Sequence, residues 1–245
     1  MKTRIILMLA LCLVASLSAC QTGVRFINHP QPELPADLEV FDEAAGCPLN
    51  EYGDRLCNGD SPLMKFGCAW ISEPPEFTGG LDPAYPIAIC HVRDNQMNAE
   101  TNAEIENGMY LYETVGILHA YIRLVIYKDG EFAVVRTAEE FREMYAPITD
   151  PEEALSYVLA STQYSAYYGL KFEENYEYLV ERIEDAHVNR TWNGYRLHLF
   201  DYELFGCGEH WTSAVVVDVS REGVIEEIER ERIFRDIKME GTCVD

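Results

Sequence analysis

The side chains whose types and spacing invite chemistry lie mostly in the last third of the chain. His187 and His198 flank Asn193-Gly194, a dipeptide that favours a tight type I′ hairpin. A fold at that dipeptide puts His198 opposite Asn189 and makes His187 its diagonal neighbour on the same face, roughly 7–8 Å away. The next hairpin can bring Asp218 to the same place. Two histidines and an aspartate can bind zinc or move protons. The plainer reading is of histidines on a solvated sheet surface, and the Asp218 placement needs a register that one step of slip would invert. Cys207-Gly208-Glu209-His210 sets a thiol near an imidazole, but an oxidised Cys207 is no nucleophile. Asp54, Asn58 and Asp60 sit in a turn-rich stretch whose spacing fits no calcium loop and reads as ordinary turn chemistry. There is no G-x-S-x-G, no H-E-x-x-H and no phosphate-cradling glycine loop. No cofactor is expected and no metal site is assigned.

The elements that must position these residues follow from local signals. Ala120 to Tyr127 and Glu131 to Val135 are rich in strand formers and are joined through Asp129-Gly130, a hairpin turn. Thr137-Ala138-Glu139-Glu140 reads as a capping box opening a helix to about Tyr145. Asp150-Pro151-Glu152-Glu153 opens a second helix with a cap, a proline at its first position and acids in its first turn. Gly169 is its expected stop. Tyr195 to Phe200, Trp211 to Val219 and residues 224–234 read as strands of a meander, and residues 178–189 as one more strand. Residues 96–118 are unclear, with 99–106 a short helix or a loop. Strands and helices in groups give an α+β fold: an antiparallel sheet, built from a hairpin plus a C-terminal meander, with two helices on one face. Tyr157, Tyr164, Tyr167 and Tyr168 read as a semi-buried layer beside the helices.

Eight cysteines are encoded, and six follow position 20: Cys47, Cys57, Cys68, Cys90, Cys207 and Cys243. An even number in an exported chain reads as three disulfides. Folding about Gly79-Gly80 opposes Cys68 and Cys90. The turn near Gly223 brings Cys207 toward Cys243. Cys47 and Cys57 are left to each other. No C-x₂-C pair supports a cysteine metal site.

Lys2 and Arg4 precede an apolar run from Ile5 to Leu17 that is too short to span a bilayer. Leu17-Ser18-Ala19-Cys20 resembles the lipobox of bacterial lipoproteins at all four positions. The resemblance implies cleavage before Cys20, acylation of its thiol (palmitate among the chains), and a membrane anchor at that residue. Gln21 in place of aspartate implies the outer rather than the inner membrane. The expected organisation is a signal peptide over 1–19, a lipidated N-terminus with a proline-rich tether over 20–45, a cysteine-rich loop region over 46–118, and the α+β domain over 119–245.

The formal charge of −23 becomes −25 once Lys2 and Arg4 leave with the signal. Such an acidic chain repels phosphate backbones, so nucleic acid is excluded as a partner. The acids are spread along the chain, as on a solvated surface. The expected function is that of a membrane-anchored envelope lipoprotein with a binding or structural module and an envelope protein or component as partner. Enzymatic activity is left open, with the balance against it. The alternative is an envelope hydrolase whose site gathers sequence-distant residues.

Overall fold

The computed structural model describes residues 23–36, 41, 44–51, 55–93, 98–116 and 119–244. Within them the fold is α+β, with two antiparallel sheets and one short parallel pair. The first sheet is formed by β2 (Arg55–Leu56), β3 (Cys68–Ser72), β4 (Ile87–Val92), β5 (Tyr112–Glu113), β6 (Tyr121–Lys128) and β7 (Glu131–Val135). Its order is β2-β3-β4-β6-β5, and β7 also pairs with β6. The second sheet is formed by β8 (Tyr176–Tyr178), β10 (His187–Arg190), β11 (Gly194–Tyr202), β12 (Trp211–Ser220) and β13 (Ile225–Asp236), in the order β10-β11-β12-β13-β8. The parallel pair joins β1 (Arg25–Ile27) to β9 (Arg182–Glu184).

Local chemistry explains the best-defined junctions. Asp129 and Gly130 both take positive φ, as a two-residue hairpin needs, and Lys128 faces Glu131 across it. Helix α2 (Ala138–Tyr145) starts where the Thr137 side chain accepts the Glu140 amide. The Glu140 carboxylate reaches back one residue further than expected, to the amide of Arg136. Helix α3 (Pro151–Ser161) is capped by Asp150, which accepts from the amides of Glu152 and Glu153. It ends at Ser161, well before Gly169. The Ser161 and Thr162 hydroxyls bond back to the carbonyls of Tyr157 and Val158, and the chain leaves the helix there.

One core cluster runs from the first sheet (Leu124, Ile126, Val135) through the two helices (Phe141, Leu155, Leu159) to the second sheet (Leu197, Leu199, Val215, Val217). The helices therefore join two sheets instead of lying on a single one. A second cluster, with Leu63, Ile71, Ala88 and Ile105, lies around the first sheet and its disulfides. Three disulfides are present, Cys47–Cys57, Cys68–Cys90 and Cys207–Cys243.

The expectation of two helices is corrected: three are found among the described residues. The additional one, α1 (Ala99–Glu106), buries only Thr101 and Ile105, so it lacks the apolar stripe that announces a helix. It is held instead by its cap, where Asn98 accepts the Thr101 amide, and by Glu104. The Glu104 carboxylate lies 2.9 Å from the fully buried guanidinium of Arg123 on β6. Burial draws the Arg123 pKa down and Glu104 opposes that shift.

The single strand expected over 178–189 is three strands with three different partners: β8 on β13, β9 on β1, and β10 on β11. Within the stretch read as a tether, β1 is a strand. Further along, the Leu34 carbonyl accepts the Gly79 amide, so this segment lies against the body.

Candidate functional site

The floor of the site follows from the alternation of β11 and β12. Leu197, Leu199, Val215, Val217 and Val219 are buried in the core, while His198, Ala214, Val216 and Asp218 are part-buried on the opposite face. In the β10–β11 register His187 stands directly opposite His198, two residues from the expected pairing, and the faces are preserved. Their rings stack with centroids 5.3 Å apart. The shift arises at Gly194. This glycine pairs with Ser220 of β12, and a Cβ there would lie 2.1 Å from the Val219 carbonyl oxygen. Gly194 is thus spent on close strand approach, and the loop is the four residues 191–194.

Asp218 does not join the histidines. It faces Arg196 and binds it through both oxygens, at 2.7 and 2.8 Å. That hydrogen-bonded pair holds the Asp218 pKa below its usual value. A His187–His198–Asp218 acid–base group is therefore not assembled.

The histidine in Asp218's place comes from far away. His29 follows β1, and its ring stacks on His187 at 4.2 Å. One buried carboxylate fixes the arrangement. Asp185, with no exposed surface, accepts from the Asn28 side chain and the His29 amide. It also accepts from the amides of Gly169 and Leu170, at 2.8 and 3.0 Å. Its own backbone closes the design, since the Asp185 amide donates to Ile27 and its carbonyl faces Nδ1 of His187 at 2.9 Å. Asp185 thus ties three chain segments into one frame.

Glu184, the last residue of β9, completes the group. One of its oxygens takes an ion pair from Arg182. The other, Oε2, lies 3.4 Å from Nε2 of His29 and 3.9 Å from Nε2 of His187. One atom from each of His29, Glu184 and His187 lies within 4.8 Å of the other two, a spacing that a metal ion can bridge. His198 stands behind His187 in the stack. Desolvation, aided by the neighbouring His187, His29 and Arg182, pushes its pKa down to about 4, and desolvation also lowers that of His187. Nδ1 of His198 is buried without a hydrogen-bond partner.

A cleft of about 670 Å³ opens beside this group. Glu184 and Ile183 form part of one wall, His198 and Val216 the floor, and Glu229 and Glu231 of β13 the far side. A larger depression of about 790 Å³ lies between residues 31–36 and 73–77, but no histidine or cysteine reaches it. Convergent polar groups, not size, single out the first.

The other sequence candidates are structural. Cys207 is in a disulfide. His210 is buried, with Nδ1 3.0 Å from the Glu203 carbonyl and Nε2 2.9 Å from the Thr242 carbonyl. Two carbonyls require two N–H donors, and they raise the His210 pKa. Asn58 accepts the Asp60 amide in a local turn, and Asp54 lies outside the described residues. Tyr157 donates to the Gly223 carbonyl and Tyr164 to Glu227, while Tyr167 stacks on Phe200. The signal peptide and Cys20 also lie outside the described residues. Three site residues escaped the sequence reading: His29, Glu184 and Asp185. The run Val24-Arg25-Phe26-Ile27 before His29 was the one available hint of a strand. Compared with known proteins, the chain matches no family model, no curated protein and no solved structure.

Proposed function

We propose that this chain is a lipoprotein of the bacterial cell envelope, anchored through acyl chains on Cys20, whose body binds a ligand or envelope partner in the histidine cleft. One observation carries the anchor. The six cysteines after position 20 pair among themselves, so none is left to bond Cys20. Three disulfides suit an oxidising compartment, in agreement with an export signal ahead of Leu17-Ser18-Ala19-Cys20. No helix among the described residues is long and apolar enough to cross a membrane. Acyl chains contribute about 0.8 kcal/mol per buried CH₂, and two or more make the attachment durable. Gln21 favours the outer membrane.

The position of β1 changes what the anchor does. Arg25 already belongs to the fold, and an extended chain spans roughly 3.5 Å per residue. A lipid on Cys20 would hold Arg25, the first residue of β1, within about 18 Å of the bilayer surface, with the cleft beside β9 next to it. The ligand is then met close to the membrane.

Mass spectrometry of the purified N-terminus tests the anchor. The expected species begins at an acylated Cys20, and Cys20→Ser moves the protein to the aqueous phase of a detergent partition. An intact leader or an unmodified Cys20 contradicts the reading. Val216→Arg tests the cleft: wild-type protein retains an envelope component in native pull-downs and the variant loses it. Equal recovery by both would rule out the cleft as the binding face.

A further inference from the structure

We propose that His29, Glu184 and His187 bind one divalent transition-metal ion of the zinc class at the edge of the cleft. Nδ1 of His187 lies 2.9 Å from the Asp185 carbonyl oxygen, which can only accept, so Nδ1 carries the proton. In the neutral ring Nε2 then presents a lone pair. It points toward Oε2 of Glu184 at 3.9 Å, one acceptor facing another. Nε2 of His29 stands 3.4 Å from the same oxygen, longer than a good N–H···O bond of about 2.7–3.2 Å. Three electron-pair donors converge, and the hydrogen bond between His29 and Glu184 is long and leaves Nε2 of His187 facing an acceptor.

A cation between them resolves this. Around zinc with bonds of about 2.0–2.1 Å, tetrahedral ligand atoms stand about 3.4 Å apart. The His29–Glu184 separation has that value, and the His187–Glu184 separation exceeds it by about half an ångström. Two imidazoles and one carboxylate suit zinc, copper, nickel or cobalt, whereas magnesium and calcium prefer all-oxygen shells. Three protein ligands leave a fourth position for water or for a ligand in the cleft.

The surroundings match those of built metal sites. The His187 ring is oriented through its other nitrogen by a backbone carbonyl, and Glu184 through its other oxygen by Arg182. Asp185 holds the His29 backbone by the same carboxylate that fixes Gly169 and Leu170. Arg182 opposes a cation. Glu229 and Glu231 across the cleft and Glu184 itself offset it. His198 is placed beside the site but outside its ligand set. The inference replaces the metal-free expectation drawn from the sequence, and it deepens the reading of the cleft as a binding face.

The test uses the full-length protein in detergent, stripped of metal with a chelator and titrated with zinc chloride by calorimetry. We expect one equivalent per chain. His29→Gln, Glu184→Gln and His187→Gln should each weaken binding at least tenfold. His119→Gln, which removes the exposed His119–Glu113 pair, should change it less than twofold. Magnesium should not compete. No binding, binding indifferent to all three substitutions, or equal affinity for magnesium overturns the proposal. Where a variant loses its fold by circular dichroism, cobalt in the wild-type protein decides. A tetrahedral visible spectrum that zinc abolishes supports the site, and an octahedral one contradicts it. Failure here removes the ion alone, because the Val216→Arg pull-down judges the cleft separately.

Discussion

In the six-stranded sheet, covalent bonds and a buried ion pair hold the structure. Cys68–Cys90 ties β3 to β4, Cys47–Cys57 closes the loop before them, and Arg123 on β6 meets Glu104 of α1 and the Met109 carbonyl. In the five-stranded sheet, the histidine face is organised by one carboxylate, Asp185, and neutral donors from two distant segments. The first region is fastened by bonds that take no ligand. In the second, a buried carboxylate draws chain segments together beside a cleft lined by His198 and several carboxylates. The difference teaches that four of the six paired cysteines, conspicuous in the sequence, mark the brace, while the site lies where the chain returns on itself.

The comparison breaks most visibly at Asp185. Asp185→Ala leaves the Asn28, His29, Gly169 and Leu170 donors without their shared acceptor, and the expected cost is about 4–5 kcal/mol by urea unfolding. It should also abolish zinc binding. A loss below about 1 kcal/mol would mean that water replaces the carboxylate and the frame is not real.

Opening the brace should cost less and leave the site alone. Replacing Cys47 and Cys57 by serine, or Cys68 and Cys90, removes loops of 10 and 22 residues. Chain entropy puts each at about 3 kcal/mol. The imidazole NMR signals of His29, His187 and His198 should not move. If they do, the two regions are not separable.

Gly194→Ala probes the register. Its Cβ would meet the Val219 oxygen at 2.1 Å, and forcing the strands apart should cost about 2 kcal/mol. Here the His187 and His198 signals should shift. Unchanged signals would show that the Gly194 approach does not set the stack.

The smallest effect concerns pH. Hydrogen bonds from Arg230 and Tyr164 hold Glu227 down at about 2, against an ordinary 4.5. A depressed folded pKa adds stability above about pH 4.5, and that contribution is lost as pH falls toward 2. Glu227→Gln should flatten this part of the stability profile. Because Glu227 is partly solvated, the change should be about 0.5 kcal/mol. A wild-type profile that the variant reproduces would contradict the assignment.

These contrasts also explain what could be read without a structure. The helix starts at Thr137 and Asp150 and the turn at Asp129-Gly130 depend on contacts within four residues, so they are written locally. Cys68–Cys90 and Cys207–Cys243 were legible because turns between them suggested symmetry, and Cys47–Cys57 because those two cysteines remained. Helix α1 was not, since a cap and one distant arginine hold it in place of an apolar stripe. His187 and His198 were recognisable as neighbours, although Gly194 moved their register by two residues. Asp218 was drawn to Arg196 instead, a competition between carboxylate partners that spacing does not reveal. His29, Glu184 and Asp185 depend on a three-residue parallel pairing across more than 150 positions, and no turn announces such a pairing.

Zinc-edge anomalous diffraction from crystals grown with one equivalent of zinc tests the central claim most directly. The account predicts one strong peak about 2.1 Å from Nε2 of His29, Nε2 of His187 and Oε2 of Glu184. A peak at another histidine, or none beside Glu184, would contradict it.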